Sequence, residues 1–306
     1  MIKKKNYICF SILFLFISVS FLFGLVIYLN PKYSPRIKNI RQYLESQGIV
    51  SSVKYLNYDY GDGSKTFKFE AMSDGFSKLT EALNHSINHE NSNHITEKIR
   101  LVSCAALNAA GEQGLLLNYD KNIKSYVPYE VSGEFFPLGY NPQSFEDVTE
   151  IEGIEFLENV NISAGITAPD NYKSFEQLAA PYLEKCVGVK NLELSDSAVD
   201  LVFLTALQKL ESLKITEGVM VKNCIMIKEI PTLKEVYIDV IYINKDEKDA
   251  LAQVIKECSD KKITLNYEYE ITDKEQQELY EEFMREHKDD LKEAEMLYTD
   301  ITEQKR

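Results

Sequence analysis

Three of the four histidines, His85, His89 and His94, fall within ten residues of one another, with Glu90 among them. Imidazole and carboxylate are metal ligands, and residues four apart share one face of a helix. The pattern H-E-x-x-H, in which two such histidines bracket a general base, is absent. The pair lies opposite an apolar face of Phe76, Leu79, Leu83 and Ile87 and beside a loop rich in Asn and Ser, as a solvated surface would. No metal site is expected. Cys104, Cys186, Cys224 and Cys258 stand in apolar surroundings with no C-x-x-C pair, so buried thiols behaving as small hydrophobes are expected. Gly61-Asp62-Gly63-Ser64 is a tight turn, and neither G-x-S-x-G nor a phosphate loop occurs. The sequence implies no catalytic set and no cofactor.

Charge narrows the partners. Against 34 Lys and Arg stand 48 Asp and Glu, a formal −14, which argues against nucleic acid. Residues 268–306 hold 14 acidic and 6 basic side chains, so −8 of that charge sits in the tail. At the other end, Lys3, Lys4 and Lys5 precede 23 uncharged residues, Tyr7 to Leu29. As a helix these span ~34 Å, enough for the ~30 Å hydrocarbon core of a bilayer. The run is longer than a signal-peptide core and closes on Asn30-Pro31 without a small-residue cleavage site, so a retained anchor is expected. Cys9 lies inside it and not after it, as lipid attachment would require. Lys32, Arg36, Lys38 and Arg41 balance the basic start, and a short basic N-terminus conventionally stays inside. That places residues 31–306 outside the cytoplasm.

The elements between begin with Ser34-Pro35, a helix start, followed by Ile37, Ile40, Tyr43 and Leu44 on one face and a stop at Gly48. An extended run through Val53, Tyr55, Tyr58 and Tyr60 turns at residues 61–64 into Thr66–Glu70, a hairpin signal. Ser73 is placed to cap a second helix. Two strand-like runs follow, Ile99–Leu107 and Leu115–Tyr119. Residues 120–147 have no clear period, and Pro128, Pro137, Gly139 and Pro142 mark them as a connector.

A different spacing then takes over. In LTALQKLESLKIT, residues 204–216, Leu204, Leu207, Leu210 and Leu213 recur every third position and Ile215 follows after two. A helix needs apolar residues three and four apart and a strand two apart, so neither alone accounts for it. The spacing returns in Ile154, Leu157, Val160, Ile162; in Cys186, Val189, Leu192, Leu194; and in Ile230, Leu233, Val236, Ile238. The pattern resembles the leucine-rich repeat family, L-x-x-L-x-L-x-x-N/C-x-L, over about residues 148–267. The resemblance implies a solenoid: each two-apart pair a short strand, each three-apart run the turn back, and successive coils stacked to bury one core. The family's asparagine position falls on Gly165, Ser197, Gly218 and Ile241, so no asparagine ladder is expected there. The first offset is long, which puts an insertion at Gly165–Leu178.

In such a solenoid the residues between the apolar ones face outward. They are Asn159, Asn161 and Ser163; Asn191, Glu193 and Ser195; Ser212, Lys214 and Thr216; and Glu235, Tyr237 and Asp239. Solenoids often bind across such a surface, although Tyr237 is its sole aromatic and it carries no Arg. The tail opens with the capping box Thr272–Glu275, and Tyr280, Met284, His287, Leu291, Ala294, Tyr298 and Ile301 then alternate at four and three. It can dock on the solenoid end or self-associate. The expected fold class is α/β: an N-terminal anchor (1–30), a small α/β domain and connector (31–147), a solenoid (148–267) and an acidic helical tail (268–306). The expected function is non-catalytic binding of a protein or glycan at the cell surface. The alternatives are a scaffold self-associating through the tail and an envelope enzyme with its site in residues 31–147.

Overall fold

The computed structural model describes residues 35–48, 50–56, 66–71, 75–87, 95, 97–103, 113–134, 148–166 and 180–286. The proposed anchor, residues 7–29, lies outside them, as do His89, Glu90 and His94, residues 61–64, most of the predicted insertion and the tail beyond 286. Among the described residues no helix is long and apolar enough to cross a membrane.

The chain is a mixed α/β structure built on one large, mostly parallel sheet. Its first part is α1 (Pro35–Ser46), β1 (Val50–Leu56), β2 (Thr66–Ala71), α2 (Phe76–His85), β3 (Lys98–Ser103), β4 (Gln113–Asp120) and β5 (Ser125–Glu134). Helix α1 begins at the proline, buries Ile37, Ile40 and Leu44, and is followed by Gly48 at φ 70°, where a side chain would be strained. Strands β1 and β2 form the expected antiparallel pair, Leu56 opposite Thr66. Helix α2 starts at Phe76 behind Gly75, with no side-chain cap, which corrects the assignment of that role to Ser73. It ends at His85, and His89 lies outside the described residues.

The connector expectation also needs correction. Residues 125–134 are a ten-residue strand, paired antiparallel with β4 and parallel with β6 (Asn159–Ile166). Pro128 is tolerated because the β4–β5 register shifts beside it, between Leu116 and Leu117, and a bulge accommodates a residue without an N–H. The sheet therefore runs unbroken across the boundary at 147/148.

Beyond β5 every strand along the sheet is parallel to the last. After β6 come a short helix α3 (Ala180–Leu183), β7 (Asn191–Asp200), β8 (Ser212–Gly218), β9 (Met220–Lys222), β10 (Glu235–Asn244), α4 (Lys245–Glu257), β11 (Lys262–Ile271) and α5 (Asp273–Glu286). The path is β1 through β8 in order, then β10 and β11, with β9 beside β7. The repeat alignment coincides with the pairing: Val160 faces Leu192, Leu192 faces Leu213, Leu213 faces Val236 and Val236 faces Ile263. Ile162, Leu194, Ile215, Ile238 and Leu265 form the next row. All but Ile263 and Leu265 of these are buried in one core.

The three-apart residues are joined by i→i+3 bonds. Leu207 N–H donates to the Leu204 carbonyl at 2.9 Å and Leu210 to Leu207 at 3.0 Å; Val189 donates to Cys186 and Leu233 to Ile230 in the same way. A 3-10 turn has three residues per turn, so side chains three apart stack on one side, here toward the core. Short 3-10 helices at Leu201–Ala206 and Cys224–Glu229 carry Leu204 and its counterpart Ile227 inward by the same geometry.

Close approach fixes two glycines. A Cβ on Gly188 would lie 2.0 Å from the Glu155 carbonyl oxygen of the preceding coil, and one on Gly218 would lie 2.8 Å from Ile215 Cγ2. The family's asparagine position is empty of asparagine, yet polar caps stand a few residues later. Asp200 accepts from the Val202 N–H, and Asn244 from the Asp246 N–H, each opening the next turn or helix. Asn223 Nδ2 donates to both Asp200 oxygens, at 2.7 and 2.9 Å, and Asn244 Nδ2 to Asp273 at 2.7 Å, so the caps also tie coil to coil.

Candidate interaction face

The sheet has an inner side against the core and an outer side carrying the twelve predicted residues. Parallel pairing in register turns them into rows. Asn159, Asn191, Ser212 and Glu235 are successive partners, ending on Lys262; Asn161, Glu193, Lys214 and Tyr237 are the second row, ending on Thr264. Ser163, Ser195 and Thr216 make a third, and Asp239 pairs onward with Asn266 after a register shift. Asn161, Asn191, Lys214 and Glu235 are exposed, Ser163 is buried, and the others are half-buried. The strand spacing of ~4.8 Å sets the distance between neighbours in a row.

Much of this surface is bonded along its rows or between them. Asn191 Nδ2 donates to Asn159 Oδ1 at 2.8 Å, Lys262 Nζ to Glu235 at 2.6 Å, and Asn266 Nδ2 to the Tyr237 hydroxyl at 3.1 Å. Lys214 Nζ stands 3.9 Å from Glu193, and the Ser163 hydroxyl donates to Asp196 at 2.8 Å. The Glu235 carboxyl is held below its usual range by the bond from Lys262.

Two features of the face escape the four-copy alignment. The first is a ladder of alternating charge one residue before the strands: Glu158, Lys190, Glu211 and Lys234. Lys190 reaches Glu158 at 2.5 Å and Lys234 reaches Glu211 at 2.6 Å. Hydrogen bonding by Glu158 raises the Lys190 pKa, and the bond from Lys234 lowers that of Glu211. Their spacing in sequence matches the repeat offsets, which is the signal that could have found them. The second is Arg100. Because β5 pairs with β6, the outer side continues through Ser132, partner of Asn161, to β4 and β3. The Arg100 guanidinium donates to the Ser132 hydroxyl at 2.9 Å and to Glu130 at 3.4 Å, lying over Gly114, where a Cβ would sit 2.6 Å from its Nη2. The continued face thus carries an Arg that the four copies lack.

Elsewhere the chemistry is quiet. Burial pushes the Cys186 thiol up to about 12 and the Cys224 thiol well above its ordinary value, the latter helped by Glu247, so both are protonated at neutral pH and poor nucleophiles. His85 stacks on Tyr43 with ring centroids 5.2 Å apart. Among the described residues no three His, Cys, Asp or Glu side chains converge as a metal site would require. In α5 the apolar anchor is Leu279, packed with Tyr242, Ile271, Ala198, Val219 and Met220, while Tyr280 of the predicted stripe is half-buried. An open groove of about 400 Å³ runs between α5 and the ends of β10 and β11, lined by Tyr242, Tyr269, Glu270, Glu275, Glu278 and Glu282 among others.

No family model matches the sequence, and no match was found among curated proteins or solved structures.

Proposed function

We propose that residues 148–267 are a short solenoid of leucine-rich-repeat type, and that the chain binds a macromolecule, without catalysis, across the outer side of its sheet. In this reading residues 7–29 anchor it in a membrane and residues 31–306 stand outside the cytoplasm. One observation carries the binding assignment: rows of mixed polar and charged side chains cross successive parallel strands in register. A rigid lattice of that kind loses little entropy when it meets a partner. Interleaved Glu193, Lys214, Glu235 and Lys262 favour a protein over a glycan, which would ask for more stacking aromatics than Tyr237 supplies.

The test is a photo-crosslinking amino acid at position 214 in the full-length chain on intact cells, with position 228 on the exposed side of a 3-10 turn as control. A discrete protein adduct at 214 and none at 228 supports the assignment. Equal labelling at both positions, or none at 214, refutes it. A protease-sensitive C-terminal tag on intact cells tests the orientation separately; protection until lysis reverses it.

A further inference from the structure

The sheet stops abruptly at β11. Among the described residues no strand pairs with its far side. Lys262 N–H donates to the Lys234 carbonyl, so by strand alternation the backbone groups of Lys262, Thr264 and Asn266 point to β10. Those of Ile263, Leu265 and Tyr267 point away. Natural edges are blunted by proline, bulges, short length or charged side chains; on β11 the charges sit at Lys262, Glu268 and Glu270 and leave residues 263–267 without one. β11 has ten residues, no proline and no register shift against β10.

Its side chains are unfinished too. Ile263 and Leu265 continue columns that are fully buried in the preceding coils, but here they are only half-buried. Tyr267 is 38% exposed and Ile255 of α4 is 46% exposed. Lys248, two helical turns before Ile255 and on the same line of α4, lies over the Tyr267 ring at 5.1 Å, which places Ile255 on the β11 side. Among the described residues the last coil therefore presents an apolar end flanking a row of unpaired backbone groups. A terminal repeat that must remain soluble alone ordinarily turns a polar face outward.

We propose that this end is covered by the same end of a second copy, the two β11 strands pairing antiparallel about a two-fold axis. The charge along the strand favours this occupant. Lys262, bonded to Glu235 in its own chain, begins β11, and Glu268 stands near its end beside Glu270, which Lys248 holds, so antiparallel apposition sets Lys262 of each copy toward Glu268 of the other. A parallel guest would set like against like. Isologous pairing also closes, leaving no free β11 edge. The contact is distinct from self-association through the tail helix and independent of what the outer face binds.

The mass of the full-length chain, solubilised in detergent and followed by light scattering over a dilution series, gives the first test. A dimer that dissociates on dilution is expected. Leu265→Lys puts a charge on the edge and is expected to raise the dissociation constant tenfold or more, whereas Phe283→Lys in α5 leaves it unchanged. A monomer at every concentration, an open series of larger masses, or dissociation caused by Phe283→Lys instead overturns the proposal. Asn266→Cys, mid-strand and exposed, guards against misfolding of the lysine variant. With diamide it is expected to form a disulfide-linked dimer at least tenfold faster than Lys228→Cys; equal rates overturn the pairing.

Discussion

The two ends of this sheet are finished in opposite ways. At the β1–β5 end, pairing is mixed, and α1 and α2 lay Ile37, Ile40, Leu44, Leu79 and Leu83 against the core, none more than 2% exposed. At the β11 end pairing is wholly parallel, α4 buries only Leu251 and Val254, and the last strand leaves Ile263 and Leu265 half open. The same apolar columns run toward both ends. What differs is whether the sequence supplies a helix with a full apolar stripe to close them. On the proposed reading the α/β unit covers one end of the stack, and the other end is left to a second copy.

Substitutions can break or sharpen that contrast. The largest effect is expected midway between the ends. Leu213→Asp puts a charge into a fully buried column and should cost more than about 4 kcal/mol, abolishing the cooperative urea transition, while Lys214→Asp beside it shifts the transition by less than about 1 kcal/mol. Equal tolerance of both would show that the register of the stack is wrong. Matched truncations at the two ends come next. Leu83→Ala at the covered end should cost about 2–5 kcal/mol, and Leu265→Ala at the open end about 1 kcal/mol, by urea unfolding below the dimer dissociation constant. If the costs are equal, the ends are not differently finished.

Gly188→Ala probes coil-to-coil approach, where a Cβ meets a backbone carbonyl, and should cost about 1–3 kcal/mol in the same assay. The carboxyl lowered to a stated value stands at the covered end. Glu70 accepts bonds from Lys54 Nζ at 2.7 Å and from the Ser52 hydroxyl, and these lower its pKa from 4.5 to about 2. A depressed carboxyl contributes stability that is present above its unfolded pKa and lost as pH falls through the folded one. Stability should therefore decline between pH 4.5 and about 2, and Glu70→Gln should flatten that part of the profile. The smallest effect is on the outer face: a double-mutant cycle on half-buried Glu193 and exposed Lys214, 3.9 Å apart, should return under about 0.5 kcal/mol.

The parts legible in the sequence were those where one residue pattern has one structural cause. Apolar residues three apart pointed to the turn back of each coil, the following two-apart pair to a strand, and Ser34-Pro35 to a helix start. β5 was hidden because Pro128 carries the signature of a breaker, and only the bulge in its partner register makes room for it. Arg100 was hidden because its membership of the outer face depends on β5 joining β6, a contact between segments that share no repeat. The caps Asp200, Asn223 and Asn244 stand outside the family's asparagine position, and their roles follow from hydrogen bonds between coils that spacing alone does not reveal.

Because each coil bonds only to the coils beside it, the stack has a mechanical character of its own. Tension between the first and last described helices acts across the ladders, opening their bonds one after another. β11, like β1, is held on one side, and its Ile263 and Leu265 are only half-buried. The 27-residue step from Glu235 to Lys262, once released, would lengthen the chain by roughly 90 Å. Under load the molecule would yield coil by coil, in a staircase of extensions beginning at its open end.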